Sequence, residues 1–225
     1  MKRTLVSLAV LFLFSMSSAV VFGQPTAAKD LAVRVDKARV TFEEFQRDSR
    51  MTWFRNNVRY AKGLLIMPSF VKGGFFVGGS IGKGVLLAQD KDGRWSYPAF
   101  YDVLSGSVGL QFGVGAGEVI LMIMTDTGLR RFLTDKFQLG ADASIGVGPD
   151  GVGAKAEIFD LFSFARVKGL FAGLSVEGGG VVVSRDDNRT YYGTVDVTPR
   201  DILLRRSVSN KQADPLIQTL TKASR

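Results

Sequence analysis

The chain has 225 residues, 46% of them hydrophobic, and a formal net charge of +8, values that fit one globular domain with a sizeable core. The absence of cysteine excludes disulfides and lipidation of an N-terminal cysteine, and the absence of histidine excludes Ser-His-Asp and Cys-His catalysis and the usual zinc sites. The basic balance favours an anionic partner such as lipid headgroups or nucleic acid, and we expect no cofactor.

Residues 1–23 have the pattern of a secretory signal peptide. Lys2 and Arg3 precede an apolar run over residues 5–14, and small residues come before Gln24. The apolar run is too short for a comfortable membrane span. We therefore expect cleavage near Gln24 and an exported protein, periplasmic or secreted, that is peripheral to the membrane. Export makes nucleic acid the poorer partner, so none is expected.

Residues 24–60 are predicted to be an N-terminal helical segment. Apolar residues recur there at steps of three and four, and Thr41 and Glu44 have the spacing of a capping box, so we predict two helices. The apolar positions are Leu31, Val35, Ala38, Phe42 and Phe45.

Residues 61–193 are predicted to be a β-rich core, and every glycine after Gly23 lies within them. The segment GGFFVGGSIGKGV at 73–85 lacks the spacing of a phosphate-binding loop and is interpreted as strand. Residues 107–114 and 137–147 alternate apolar with small or polar side chains, which also predicts strands. The fully apolar VILMIM at 119–124 predicts a central strand, and residues 125–135 a short helix.

Residues 194–225 are predicted to be a C-terminal helical segment of the same domain. The stretches TPRDILL at 198–204 and DPLIQTL at 214–220 each place proline second, after a capping residue, so we predict two short helices. The fold class expected for the whole chain is α+β. An antiparallel, glycine-rich, curled β-sheet or barrel-like sandwich would be covered by N-terminal helices and short C-terminal helices.

Five segments in this order resemble the SYLF domain, also called the Ysc84 actin-binding domain. They are AKGLLIMPSFVKGGFFVGGSIGKGVLLA, DGRWSYPAF, GSVGLQFGVGAGEVILMIMTD, FQLGADASIGVGPDG and KGLFAGLSVEGGGVVVSRDDNRTYYG. The resemblance covers nearly all of the chain after the signal peptide, and it implies an exported bacterial member that is a binding domain rather than a catalyst. Eukaryotic members bind phosphoinositide-containing membranes and, in fungi, actin filaments, while exported bacterial members are described as lipid-binding. Actin is therefore a partner by family analogy only.

Basic residues in or beside the matched segments are the candidates for binding lipid headgroups, because their charge attracts anionic phosphate while neighbouring apolar groups enter the membrane interface. Taken alone, each of them is better explained as an ordinary solvated surface charge, and a joint role depends on whether the fold brings them to one face. These candidates are Lys72, Lys83, Arg94, Lys168 and Arg189.

A second group of candidates, for direct membrane contact, lies in the N-terminal helical segment, where arginines are interleaved with aromatic residues. The alternative for this segment is a helix that packs its aromatic side chains on the β core, and the sequence leaves both open. The candidates are Arg47, Arg50, Trp53, Phe54 and Arg55.

Glu118 and Glu177 stand beside strongly apolar strands and are expected to accept hydrogen bonds or to pair with a basic residue. The function expected is binding of anionic phospholipid or a membrane surface by basic residues with shallow apolar insertion. The alternative is a structural or protein-binding envelope module without lipid, with a possible protein partner. A third hypothesis is a hydrolase that uses one of these two carboxylates.

Overall fold

The structure is a computed structural model that describes residues 25–74, 77–108, 115–148, 159–167, 170–172 and 178–225, with the backbone alone at a few positions, including Lys72. The predicted signal peptide, Lys168, Glu177 and most of the predicted strand at 107–114 lie outside the described residues.

Helices precede and follow the β-rich part of the chain, as predicted. Within the described ranges the α-helices are α1 (Pro25–Arg47), α2 (Thr52–Asn57), α3 (Asp126–Arg131), α4 (Arg185–Tyr192) and α5 (Asp214–Ala223). Short 3-10 turns occupy Ser49–Met51, Val58–Tyr60 and Lys211–Ala213, and a π-helical turn occupies Asp201–Arg205.

Helix α1 runs without a break through Thr41, so the predicted capping box is wrong. The helix ends instead before Asp48, whose carboxylate accepts a hydrogen bond from the Arg50 backbone N–H at 2.8 Å and caps the next turn. The predicted apolar stripe is confirmed, because all five of its residues are at most 3% exposed.

The strands form one curled, mostly antiparallel sheet, which confirms the α+β fold class. They are β1 (Gly63–Gly74), β2 (Val77–Ala88), β3 (Ala99–Val108), β4 (Gly115–Ile123), β5 (Lys136–Gln138), β6 (Ile145–Val147), β7 (Leu161–Val167), β8 (Leu170–Ala172) and β9 (Gly180–Val183). Their order is β5-β9-β3-β2-β1-β4-β7-β6, with β8 also paired to β7. Among the strand pairs that the structure describes, β6–β7 is parallel and the others are antiparallel.

The two outer strands of this order are neighbours in sequence. β5 and β6 lie at opposite ends of the sheet, yet only residues 139–144 separate them. So short a connection cannot span an open sheet of this width, because adjacent strands are about 4.8 Å apart and a residue reaches at most about 3.5 Å. The sheet therefore curls into a half-barrel.

Both faces of the sheet are covered. On the face that we call the helix face, α1, α2 and α5 pack through Phe42, Phe54 and Leu220 against strand residues such as Val85 and Phe100. The opposite face packs against the region of α3 and the π-helical turn. Residues 64–67 of β1 and 119–123 of β4 are at most 1% exposed on either face, which confirms VILMIM as a central strand.

Residues 137–147 do not form the single strand that was predicted. β5 and β6 are separated by a turn in which Gly140 has a φ of +86° and the Asp142 carboxylate accepts a hydrogen bond from the Gln138 N–H at 2.7 Å. An aspartate and a glycine in that stretch favoured a turn over continued alternation. Helix α4 was not predicted either, because its residues lie within residues 61–193, which were predicted to be a β-rich core.

The glycine-rich segment at 73–85 is strand in its described part, as predicted. A Cβ at Gly84 would lie 2.6 Å from Met67 Cγ and 2.8 Å from the Ile66 carbonyl oxygen. The pairing of β1 with β2 shifts between Ile66 and Ser69, around Pro68, and this bulge brings β1 close to the glycines of β2. Glycine is therefore needed there for close approach.

Candidate functional site

Three apolar side chains form a row across neighbouring strands on the helix face. Val71 of β1 is paired with Ile81 of β2, which is paired with Leu104 of β3. They are 40%, 43% and 46% exposed, respectively. Ile81, Lys83 and Val85 are two residues apart along β2 and so lie on the same face of the sheet. Val85 belongs to the core beneath the helices, so the row lies on the helix face. We call these three residues the apolar row.

Helix α1 runs beside the apolar row and leaves a groove of about 350 Å³ between them, a volume within the range of small-ligand sites. We call it the α1–β2 groove. Val33, Arg34 and Lys37 line it from the helix, and Val71, Ile81 and Lys83 line it from the sheet. Val33 is 41% exposed and lies one helical turn before Lys37, so the helix wall also combines an apolar side chain with a cation.

Two lysines supply the uncommitted charge of the groove. Lys37 and Lys83 are exposed, and neither forms an ion pair with another residue that the structure describes. Asp102 lies opposite Lys83 in the β2–β3 register, but no ion pair joins the two. The guanidinium of Arg34 is already bound, at 2.6 Å, to the carboxylate of Asp187 on α4.

An acidic side chain, Asp30, also lines the α1–β2 groove. It lies one helical turn before Arg34 and leaves the groove with a modest excess of positive charge rather than a strongly basic surface. Apolar contacts must therefore contribute to ligand binding together with the positive charge. A contiguous exposed apolar row beside free cations is typical of an interaction site, whereas isolated exposed apolar residues are normal on any surface.

A cluster of charged residues lies under the C-terminal half of α1. Arg166 of β7 donates from Nε to Oε2 of Glu118 on β4 at 2.7 Å, and Thr41 donates from Oγ1 to Oε1 of Glu118 at 2.8 Å. The Glu44 carboxylate also contacts Arg166. Burial raises the pKa of Glu118, and the hydrogen bond from Thr41 opposes that rise.

The environment of Glu118 is the one expected from the sequence, a carboxylate paired with a basic residue. Both of its oxygens accept hydrogen bonds, which favours a structural role in joining α1 to the sheet. In the described ranges no three carboxylates come together as a possible metal site. Among the helices described, none is both long and apolar enough to cross a membrane.

The model of one protein family matches residues 104–223, and its description is "Ysc84: Las17-binding protein actin regulator". The chain belongs to the Ysc84 family. This confirms the resemblance found in the five glycine-rich segments. The match includes Leu104 of the apolar row, whereas Lys37 and Lys83 precede it, so the family model does not by itself assign the α1–β2 groove.

Relatives in this family come from fungi and animals. Protein YSC84 of Saccharomyces cerevisiae is 33% identical over 171 residues, covering 72% of this chain and 36% of that protein. SH3 domain-containing protein PJ696.02 of Schizosaccharomyces pombe is 34% identical over 71% of this chain and 39% of its own length. SH3 domain-containing YSC84-like protein 1 of Xenopus laevis is 28% identical over 71% and 49%. The Ysc84-type chain thus spans about a third to a half of these relatives.

The structure does not bring the described lipid-binding candidates into one pocket. Lys83 lines the α1–β2 groove, Arg94 lines a pocket beside α5, and Arg189 lines a third pocket beside α4. Arg94 is also engaged with Asp90. Lys72 is placed in β1 by its backbone, paired with Ser80.

The candidates for membrane contact mostly stabilise the junction between α1 and α2. Phe54 is fully buried, and Trp53 is half-buried with its ring 4.9 Å from that of Phe162. The geometry of these two aromatic residues favours the alternative in which the segment packs on the β core.

The three arginines of that group are engaged in local contacts. Arg50 is bound to Asp48 at 2.8 Å, and Arg55 donates to the Asp48 carbonyl. Arg47 is largely exposed and pairs with Glu43 at 3.2 Å. Of the three, Arg47 is therefore the one whose side chain is most open to solvent.

Sequence reasoning missed Lys37, Val33 and the apolar row. Lys37 could have been found from the sequence, because it lies at helical spacing between Val33 and Val40 on the side of α1 opposite the buried stripe. Both valines are more than 40% exposed. The apolar row could not be predicted from the sequence, because its formation depends on the register of three strands and on the bulge in β1.

Proposed function

We propose that this chain is a lipid-binding module in which the α1–β2 groove holds the phosphate headgroup of an anionic lipid. The observation that supports this most strongly is the pair of uncommitted lysines, Lys37 and Lys83, beside the exposed apolar row. The ammonium groups attract the phosphate, while the apolar row enters the boundary between headgroups and acyl chains.

Neither interaction alone gives tight binding. A basic residue near an anionic surface contributes about 1 kcal/mol, and burial of the remaining surface of a half-exposed valine or isoleucine contributes about 1 kcal/mol. Two lysines and three or four apolar side chains together therefore support measurable, reversible binding. The electrostatic share of it weakens as salt shortens the Debye length.

We also propose that the chain acts after export, at a periplasmic or extracellular site peripheral to the membrane, which is supported by the signal-peptide pattern of residues 1–23. A lipid-binding site in the periplasm or outside the cell would meet anionic phospholipid without competition from nucleic acid. The pairing of Glu118 with Arg166 gives the hydrolase hypothesis no support.

The family description favours a second candidate, a protein partner, because it names binding to Las17 and regulation of actin. An acidic, amphipathic segment of a partner would suit the same lysines and apolar row. Lipid binding is preferred because exported members are described as lipid-binding and because the groove is small compared with a stable protein interface.

The test is co-sedimentation with vesicles of phosphatidylcholine alone or with phosphatidylglycerol or cardiolipin, at rising salt. The wild type should sediment with the anionic vesicles, and the bound fraction should decrease as the salt concentration rises. The variant Lys37→Glu/Lys83→Glu should bind them weakly. A matched control, Lys91→Glu/Lys211→Glu, changes the net charge equally at exposed lysines outside the groove and should bind better than the groove variant.

Equal sedimentation with neutral and anionic vesicles would contradict the proposal, and so would a groove variant that binds as well as the matched control. Circular dichroism and thermal unfolding of each variant check that the fold is intact. Binding of an acidic peptide without binding of lipid would support the protein-partner candidate instead.

A further inference from the structure

A second pocket, of about 430 Å³, lies between helix α4 and residues 195–200, a segment after that helix that contains a turn. It shares no lining residue with the α1–β2 groove. We propose that this pocket binds a small phosphate ester through three arginines, independently of the groove.

The three arginines approach the pocket from two walls. Arg185 and Arg189 are one helical turn apart, so they lie on the same side of α4. Arg200 lies at the end of the segment that forms the facing wall. We call them the arginine triad. A planar guanidinium offers several N–H donors in a geometry that matches the oxygens of phosphate, and three of them around one cavity match a tetrahedral anion.

Two members of the arginine triad are held in position before any ligand binds. Arg185 Nη2 lies 2.5 Å from Oδ1 of Asp135, and Arg189 donates from Nε to the Val195 carbonyl at 2.8 Å. These contacts use few of the available N–H groups, so donors remain for an anion. A guanidinium that is already oriented loses less conformational entropy when it binds.

Arg200 has no ion pair with any described residue. The acidic partners are weak competitors, because Asp135 is 73% exposed and Asp186, 3.4 Å from Arg189, is 96% exposed. Asp135 and Asp196 also line the pocket, which leaves its walls with one excess positive charge. A phosphate monoester, with a charge near −2 at neutral pH, is attracted more strongly than a monovalent anion.

Apolar side chains form part of the remaining pocket wall, where they would contact the organic part of a ligand. Leu133, Val197 and Pro199 contribute to the lining, and Val195 is 71% exposed. Such a surface suits the organic part of an ester better than it suits inorganic phosphate. The ligand class is therefore a phosphate monoester with a small carbon skeleton, either free in solution or at the end of a lipid headgroup.

Helix α4 separates the two sites. Its Asp187 side chain binds Arg34, which lines the α1–β2 groove, whereas Arg185 and Arg189 are two positions away on either side and point to the other side of the helix. A substitution in the arginine triad can therefore be made without touching a residue that lines the groove.

The experiment is titration calorimetry of the full chain with phenyl phosphate, inorganic phosphate and, as neutral control, benzyl alcohol, at constant ionic strength. The wild type should bind phenyl phosphate more tightly than inorganic phosphate and should not bind the alcohol. Arg200→Gln and Arg189→Gln/Arg200→Gln should weaken binding by about threefold and about tenfold, respectively, as expected for exposed charge pairs. Arg130→Gln, an exposed arginine outside the pocket, is the matched control.

Arg200→Gln keeps the test meaningful if Arg189→Gln disturbs the fold, because Arg200 makes no ion pair in the described structure. Unchanged affinity for phenyl phosphate in Arg200→Gln, or no binding by the wild type at millimolar ligand, would overturn the proposal. Co-sedimentation with vesicles that contain phosphatidate shows whether the phosphate ester bound in the pocket belongs to a lipid headgroup or to a soluble molecule. If the triad variants lose phenyl phosphate and also bind these vesicles less, the site takes lipid headgroups, and if they lose phenyl phosphate alone, it takes a soluble ester.

Discussion

Arg166 and Glu118 lie side by side on neighbouring strands, with Arg166 Nε 2.7 Å from Glu118 Oε2. Their side chains are 21% and 22% exposed, so the pair is largely shielded from water. Thr41 and Glu44 of α1 contact the same pair, which makes it the polar attachment of the long helix to the sheet. A charge in this position stabilises the fold only while its partner is present.

We expect Glu118→Gln to lower the free energy of unfolding by about 1–3 kcal/mol, because it leaves Arg166 with a weaker partner in a shielded site. Urea unfolding monitored by circular dichroism measures the change. Glu43→Gln, which removes a carboxylate from surface pairs of α1, should cost less than about 1 kcal/mol. A variant with normal stability and a lost hydrolytic activity would contradict the structural role.

Acid should weaken the fold through Asp160. Burial alone would raise the pKa of Asp160, but hydrogen bonds from Thr125 and Ser144 outweigh it and hold the pKa below 3.8. A carboxyl with a lowered folded pKa contributes stability that is complete above its unfolded pKa and is lost as pH falls through the folded pKa. The stability difference between wild type and Asp160→Asn should thus be constant near neutral pH and shrink below pH 3.8.

The control for that experiment is Asp186→Asn, which removes a carboxylate that is 96% exposed. Denaturant unfolding at a series of pH values provides the measurement. A gap between wild type and Asp160→Asn that persists undiminished into strong acid would refute the assignment of this stability to the Asp160 carboxylate.

Gly84→Ala should destabilise the chain by about 1–3 kcal/mol, because the new methyl group would meet the Ile66 carbonyl oxygen at 2.8 Å, a backbone atom that cannot turn aside. Gly180→Ala is the matched control in another strand. Its methyl group would find the Leu104 carbonyl oxygen at 3.7 Å, an ordinary contact. Thermal unfolding of both variants decides the question, and equal midpoints would contradict the close packing at β2.

Among lysines named from the sequence, we expect Lys83 to dominate the binding of anionic vesicles. The triple variant Lys72→Glu/Lys83→Glu/Lys168→Glu should lose most of the binding at low salt, and Lys83→Glu alone should account for most of that loss because Lys83 lines the α1–β2 groove. Co-sedimentation with phosphatidylglycerol vesicles compares the two. A triple variant that is much weaker than the single one would instead assign binding to Lys72 and Lys168.

The predicted export can be tested on the intact protein. We expect the exported chain to begin near Gln24 and to fractionate without detergent, because the apolar run at residues 5–14 is short and the sequence has no cysteine for lipidation. Intact mass after expression with the native N-terminus measures the cleavage. Retention of residues 1–23, or recovery with detergent alone, would contradict the proposed localisation.

The sequence was sufficient for the elements whose hydrophobic period is strong. The stripe that includes Leu31 and Phe42 predicted the buried face of α1, and the apolar run in β4 predicted a strand buried on both faces. It did not show that Thr41 lies inside one helix, because its carboxylate partner, Glu118, is far away in the chain. A local capping pattern therefore fails to predict a helix start when the side chain concerned makes a tertiary contact instead.

The candidate site was less predictable than the fold. Lys83 was found because it lies in a recognisable motif, but its neighbours in the groove come from helix spacing and strand register rather than from adjacent residues. Arg94 and Arg189 look equivalent to Lys83 in sequence, yet they line other pockets. Phe54 illustrates the same limit, because an aromatic residue among arginines looks identical whether it faces lipid or the core.

The position of β9 in the sheet sets the order in which the molecule can be completed during its synthesis. β9 lies between β5 and β3, pairing Val182 with Lys136 on one side and with Asp102 on the other. Until residues 180–183 leave the ribosome, β3 keeps an unpaired edge and β5 has no strand to join. The sheet therefore stays open while most of the chain is made, and it can close only after the last strand in the sequence, β9, has been synthesised.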